Sequence, residues 1–168
     1  LSSAASDVYK RQEYNGDYSF DGRGTVKEET VTFRNINFYV GTENYLGFIG
    51  IDNFVLENCT VNGIMTYGGT KTAKYEGVVF NAPTYAKNKK IDYSFYSIDG
   101  DVVTFKDCTF NGDGKFINVY THYEENDVIK TINFDSCTVN STGNNKQPLN
   151  IKNGDSTRDT KRLSLIHI

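Results

Sequence analysis

The chain has no tryptophan, one methionine, two prolines and two histidines among its 168 residues. It also lacks an excess of charge of either sign, because 18 lysines and arginines stand against 21 acidic residues and leave a net charge of −3. Phosphate binding needs a concentrated basic face, so we expect no nucleic-acid partner. No apolar run approaches the roughly 20 residues of a membrane-spanning helix, so we expect no membrane span here.

What the chain has instead is a short pattern that returns several times. The copies are TFRNINF from Thr32, VLENCTVN from Val55, KYEGVVFN from Lys74, TFKDCTFN from Thr104 and NFDSCTVN from Asn133. In each copy apolar residues, which should face the core, alternate with polar ones. At one fixed place two residues instead of one separate the apolar positions, so the chain must turn there, and we call this place the corner. The pattern therefore predicts a strand, a corner and a second strand. Return of this unit every 20 to 30 residues, roughly, indicates a solenoid.

A further apolar stretch precedes most copies, so each repeat predicts a coil of three short strands. These stretches surround Ile49, Met65, Tyr96, Ile117 and Leu149, and DYSFDG from Asp17 is similar to them. The organisation resembles the pectate lyase-like superfamily over roughly residues 14–154. The resemblance implies an all-β fold, a right-handed parallel β-helix of about five to six coils.

The corner of each copy carries a small polar residue or glycine. This column comprises Asn35, Asn58, Gly77, Asp107 and Ser136. Asn, Asp and Gly tolerate the left-handed backbone that a tight corner needs. A second polar column closes the following strand and comprises Asn62, Asn81, Asn111 and Asn140. We interpret both columns as structural ladders.

The cysteines share one inward column of the predicted core. Cys59, Cys108 and Cys137 occupy the position held by Ile36 and Val78 in the other copies. Neighbouring coils lie about 4.8 Å apart, so Cys59 and Cys108 are about 10 Å apart and beyond disulfide reach. The chain has no CxxC pair, which argues against zinc. We expect buried free thiols.

Enzymes of the superfamily that the chain resembles carry their chemistry on the outer face of the strand before the corner strand. The outward positions predicted there are Ser19, Gly50, Thr66, Ser97, Asn118 and Asn150, all small and uncharged. Glycoside hydrolysis needs two carboxyl groups roughly 5 to 10 Å apart. The lyases resemble one another in using an acidic calcium cluster and an arginine base. Neither pattern is present, so we assign no catalytic residue.

One acidic column offers a candidate metal site. Asp21, Asp52 and Asp99 are predicted to follow the strand just described, with Asp101 nearby. Stacked carboxylates are oxygen ligands of the kind that calcium prefers. Asp-Gly and Asp-Asn are also turn dipeptides, which is the alternative interpretation. Asp52, Asp99 and Asp101 are therefore the candidate calcium ligands, and we expect no other cofactor.

Two long loops carry tyrosines beside polar residues. Tyr85 and Tyr93 lie in the loop of residues 82–94, and Tyr123 lies in the loop of residues 121–130. Exposed aromatic rings with polar neighbours are suited to stacking against sugars or to contacts with proteins. We expect these loops to bind a glycan or a host or cell-surface protein.

The ends of the chain do not follow the repeat. Residues 1–12 and 162–168 resemble translated sequencing-adapter read-through on metagenomic gene fragments, so we expect one domain over residues 13–161, a fragment of a longer solenoid. The sequence thus predicts a monomeric, non-catalytic β-helical adhesin or stalk module. By its resemblance, it belongs at a bacterial cell surface or outside the cell. The alternative is a truncated polysaccharide lyase or glycoside hydrolase whose catalytic coils are missing or divergent.

Overall fold

The computed structural model describes residues 18–21, 29–39, 45–66, 69–82, 95–97, 101–112, 116–121, 131–141, 149–153 and 165–167. Across these ranges the regular structure is all β, with strands β1 to β17 and no helix. In this described part of the chain there is accordingly no helix long and apolar enough to cross a membrane.

The strands follow one another in groups of three, and each group is one coil. The first coil comprises β1 (Tyr18–Asp21), β2 (Thr30–Arg34) and β3 (Asn37–Tyr39). The second comprises β4 (Tyr45–Ile49), β5 (Ile51–Glu57) and β6 (Thr60–Asn62), and the third β7 (Ile64–Thr66), β8 (Gly69–Glu76) and β9 (Val79–Asn81). The fourth comprises β10 (Phe95–Ser97), β11 (Val102–Lys106) and β12 (Thr109–Gly112), and the fifth β13 (Ile117–Thr121), β14 (Thr131–Asp135) and β15 (Thr138–Ser141). The strands β16 (Leu149–Asn153) and β17 (Leu165–His167) begin a sixth.

Corresponding strands of successive coils pair in parallel and form three sheets. Sheet A joins the first strands of the coils and sheet B the second strands, each with six strands, while sheet C joins the third strands and has five. Each strand therefore pairs with the strand three places along the chain, which is the topology of a parallel β-helix. The predicted all-β fold class is confirmed.

The register confirms how the copies of the repeat align. Phe33, Leu56, Tyr75, Phe105 and Phe134 pair in succession across sheet B. Each of these side chains faces the interior because the strand alternates with period 2. The corner residues and the polar residues that follow are thereby brought into columns.

Aromatic rings stacked from coil to coil fill the core. Tyr75 and Phe105 stack with ring centroids 4.8 Å apart, and Phe105 and Phe134 stack at 5.2 Å. On sheet C, Phe80 and Phe110 stack at 5.1 Å. Tyr75 is fully buried, and its burial raises the pKa of its hydroxyl. A thin coil thus obtains a continuous apolar interior from repeated large rings.

The corners between sheets B and C have the left-handed backbone that the sequence predicts. The φ angles are 57° at Asn35, 52° at Asn58, 64° at Gly77, 52° at Asp107 and 54° at Ser136. Backbone hydrogen bonds join successive corners, as where the amide of Asn58 donates to the carbonyl of Glu76 at 2.9 Å. Short polar side chains fit here because they tolerate this conformation.

The three cysteines are free thiols, as predicted. Cys59 and Cys108 are also buried, but Cys137 is only half-buried, so the predicted burial is wrong for this residue. Each lies directly after the left-handed corner residue and donates weak hydrogen bonds to carbonyl groups. The Sγ of Cys108 lies 3.4 Å from the carbonyl oxygen of Tyr75 and 3.3 Å from that of Lys106. Burial raises the pKa of Cys108 to about 12, so the thiol stays protonated at neutral pH. Cys59 and Cys137 make the equivalent contacts.

Strand β17 lies in the segment 162–168, which the sequence predicts to be a tail outside the domain. Leu165, Ile166 and His167 pair in parallel with Thr131, Ile132 and Asn133 of β14. The pairing adds one strand to sheet B. The origin of the segment stays a prediction.

Candidate functional site

The alignment predicted for sheet A is wrong in the second coil. Ser19 pairs with Gly47, and Gly47 pairs with Thr66, so Gly50 is not in this column. Gly50 instead forms the bend between β4 and β5, with a φ of 66°. This bend joins two strands without a polar loop, so the sequence does not show where the sheet A strand ends. The predicted position, Gly50, is therefore three residues after the observed one, Gly47.

The same shift separates the predicted acidic column. Asp21 pairs with Ile49, whereas Asp52 lies inside β5 on sheet B. The carboxylate of Asp52 forms an ion pair with Lys71, with 3.0 Å between Oδ2 and Nζ. The carbonyl of Asp101 accepts a hydrogen bond from the amide of Thr131 at 3.0 Å. Asp99 lies outside the described residues.

A metal cluster does not form in the described ranges, where no group of three or more His, Cys, Asp and Glu residues is placed to hold an ion. The tyrosines predicted to bind a ligand, Tyr85, Tyr93 and Tyr123, also lie outside the described residues. Their role stays a prediction.

The outer face of sheet B carries a charged column that the sequence interpretation missed. Arg34, Glu57, Glu76, Lys106 and Asp135 pair in succession, at the last position of each strand. Arg34 contacts Glu57. Two lysines contact Glu76: Lys74 of the same strand lies 2.5 Å from its Oε2, and Lys106 of the next coil lies 2.9 Å from its Oε1. In the sequence, the members of this column can be recognised because each one directly precedes the corner residue of its repeat.

Glu57 and Glu76 lie side by side on neighbouring strands. The strand spacing of about 4.8 Å is close to the roughly 5 Å between the two carboxyl groups of retaining glycosidases. A general acid, however, needs a carboxyl group whose pKa is raised so that it is protonated near neutral pH. Hydrogen bonds from Lys74 and then Lys106 lower the pKa of Glu76 to about 2. The hydrogen bond with Glu76 in turn raises the pKa of Lys106. Glu76 is therefore ionised near neutral pH, and its contact with Lys106 links two neighbouring coils.

The outer face of sheet C has a different chemistry. We call it the threonine–asparagine face, and its outward residues are Asn37, Tyr39, Thr60, Asn62, Val79, Asn81, Thr109, Asn111, Thr138 and Asn140. The asparagines form the ladder that the sequence predicts. The Nδ2 of Asn81 donates to the Oδ1 of Asn62 at 2.8 Å, and Asn111 donates to Asn81 at 2.9 Å. Asn140 donates to Asn111 at 2.9 Å.

Comparisons with known proteins give no family for the chain. No protein-family model matches it, and no curated protein or solved structure matches it at a significant level.

Proposed function

We propose that the chain is a non-catalytic β-helical module, an adhesin or stalk that presents its outer faces and loops. The observation that supports this most is the state of three of the described carboxylates. Asp52, Glu57 and Glu76 are each bound by a lysine or an arginine, and these contacts join neighbouring strands. The two lysines that contact Glu76 lower the pKa of its carboxyl group to about 2, so Glu76 is unsuited to act as a general acid near neutral pH.

The shape of the described faces agrees with this proposal. Sheets B and C present outward rows of side chains in register, whereas small-molecule and catalytic sites are concave and combine a few polar groups with an apolar pocket. The same solenoid architecture serves many functions, so the fold does not decide between a lyase and an adhesin. The charge pairing and the uncharged ladder are what favour a binding or spacer role.

The finer assignment is also a proposal. We propose membership of the pectate lyase-like superfamily with right-handed winding, supported by the left-handed asparagine corners at Asn35 and Asn58 and by the parallel coils. Right-handed connections are the usual choice between parallel strands. From this resemblance follow a bacterial surface or extracellular location, a monomeric state, and further coils in the full protein.

The proposed partner is a glycan or a cell-surface protein, and no cofactor is proposed. The predicted loop contacts are Tyr85, Tyr93 and Tyr123. Replacing each with alanine should weaken binding in a glycan and protein screen while leaving the melting temperature unchanged, because these residues are not part of the repeated sequence pattern.

Catalysis is tested directly by incubating the purified protein with polygalacturonate and with neutral polysaccharides, with and without calcium. We expect no new reducing ends and no unsaturated products. Turnover that disappears in Glu57→Gln or Glu76→Gln, and survives in the control Asp135→Asn at the end of the same column, would contradict the proposal. That result would favour the alternative of a truncated lyase or hydrolase.

A further inference from the structure

Charge is distributed unevenly between the described outward positions of sheets B and C. The outward positions of sheet B carry Arg34, Glu57, Lys74, Glu76, Lys106 and Asp135. Among the described outward positions of sheet C, from Asn37 to Asn140, none is charged. The two faces belong to the same coils, so the difference does not follow from the fold. A ligand of the threonine–asparagine face must therefore match an uncharged, polar surface.

The asparagine ladder holds its amides in fixed positions. Asn81 donates one N–H to Asn62 and accepts one from Asn111, and Asn111 is bound in the same way between Asn81 and Asn140. An amide group has two N–H donors and two acceptor lone pairs. The ladder uses one of each, so every inner asparagine keeps one donor and one acceptor for a ligand. Because the ladder already fixes the rotamer, little side-chain freedom is lost on binding.

A second row runs beside the ladder. Thr60, Val79, Thr109 and Thr138 pair in succession, two residues before the asparagines. Each coil thus presents the same kind of unit, a β-branched side chain and an amide, with coils repeating about every 4.8 Å along the axis. That repeat is close to the length of one sugar residue in an extended β-linked chain. The ring of Tyr39, 54% exposed, lies in register with Asn62 at the end of the amide row.

We propose that the threonine–asparagine face binds a neutral, extended polysaccharide that runs along the helix axis. The inference rests on the proposed adhesive function and names a binding surface for it other than the tyrosine loops. Hydroxyl groups of successive sugars meet the amides of successive coils, and Tyr39 provides an apolar platform for a sugar ring. Acidic polysaccharides and nucleic acids find no cation on the described part of this face. The contacts repeat from coil to coil, so weak single contacts add up along the chain.

The test compares two substitutions of the same kind in the same coil. Thr109→Glu introduces a carboxylate in the middle of the threonine–asparagine face, between Val79 and Thr138. Thr104→Glu is the matched control, because Thr104 is also half-buried but faces outward on sheet B beside Lys74. Binding is measured by co-sedimentation with insoluble β-linked neutral polysaccharides, cellulose and a β-mannan, and circular dichroism checks that each variant is folded.

We expect the wild-type protein and Thr104→Glu to sediment with at least one neutral polysaccharide. Thr109→Glu should lower the affinity by about tenfold or more, which corresponds to roughly 1.4 kcal/mol. If Thr109→Glu is not folded, the exposed Thr138→Glu on the same row replaces it. Polygalacturonate, the acidic counterpart, should not be bound by this face.

Three results would overturn the inference. The first is no binding of the wild-type protein to either neutral polysaccharide, and the second is an equal loss in Thr109→Glu and Thr104→Glu. The third is binding that depends on Tyr85, Tyr93 or Tyr123 and is unchanged in Thr109→Glu, which leaves the proposed adhesive function intact. Cleavage of the polysaccharide, in contrast, contradicts the non-catalytic proposal and does not bear on which face binds.

Discussion

Replacing Gly77 with alanine tests the corner that sets the whole register. Gly77 has a φ of 64°, and an added Cβ would lie 2.6 Å from the Oδ1 of Asn58 in the preceding coil. Left-handed backbone costs a residue with a Cβ about 1–2 kcal/mol. Alanine also reduces the freedom of the unfolded chain, which offsets about 0.4–1 kcal/mol. The strain and the steric contact together should exceed the gain from the less flexible unfolded chain. The free energy of unfolding should therefore fall by about 1–2 kcal/mol, which corresponds to about 2–8 °C in melting temperature.

A double-mutant cycle separates the strain from the contact. The strain belongs to position 77 alone, whereas the contact needs the side chain of Asn58. Gly77→Ala should therefore cost about 0.5 kcal/mol less in an Asn58→Gly background than in the wild-type protein. Urea denaturation followed by far-UV circular dichroism measures all four free energies of unfolding. A neutral or stabilising Gly77→Ala in the wild-type background would refute the left-handed corner, and equal costs in both backgrounds would refute the contact.

Three further predictions follow from buried and paired groups. Thiol titration of the native protein should find Cys59 and Cys108 unreactive, because both are buried and burial raises the pKa of Cys108 to about 12. Denaturation without reductant should expose three thiols, and two missing thiols would show a disulfide instead. The pKa of Glu76 is lowered from 4.5 to about 2, so its stabilising contribution is complete above pH 4.5 and is lost as the pH falls toward 2. Glu76→Gln should flatten this part of the stability profile, and an unchanged profile would contradict the pairing. Asn111→Ala breaks two ladder hydrogen bonds and should lower the free energy of unfolding by about 1–2 kcal/mol, more than Asn140→Ala at the end of the ladder, and the same urea titration detects it.

The corner columns and the core could be predicted from the sequence because both follow from local rules. Two residues, instead of one, separate the inward-facing Leu56 and Cys59, so both can face the core only if the chain turns between them. The small polar residue at this turn tolerates the left-handed backbone. Since each copy repeats this signal, the alignment of sheets B and C follows from it. The asparagine ladder is a consequence of that alignment.

Sheet A was harder to predict because its strands are separated from the corner by segments of different length. In the second coil the bend at Gly50 joins β4 to β5 directly, so the residues that precede the corner continue a seven-residue strand. Asp52 therefore lies on sheet B beside Lys71 and not at the end of a sheet A strand. A sequence shows residue types and their spacing. It does not show whether residues next to a short bend continue the strand before the bend or the strand after it.

The charged column of sheet B was missed for a different reason. Its members precede the corner and vary from arginine to glutamate to lysine, so they look unrelated until the strands are placed in register. Glu76 acquires its low pKa only from the lysines beside it, Lys74 on its own strand and Lys106 on the next. This is a property of neighbouring coils and not of one repeat.

The most direct test of the account compares Val78→Asp with Val79→Asp. The central claim is that stacked coils bury Val78 completely while the adjacent Val79 faces outward and is half-buried. An unpaired carboxyl group at position 78 should lower the free energy of unfolding by several kcal/mol. The same substitution at the half-buried position 79 should cost about 1 kcal/mol, the central value for point mutations. Urea unfolding curves with a large difference between the two variants are the predicted result, and equal curves would contradict the β-helix register.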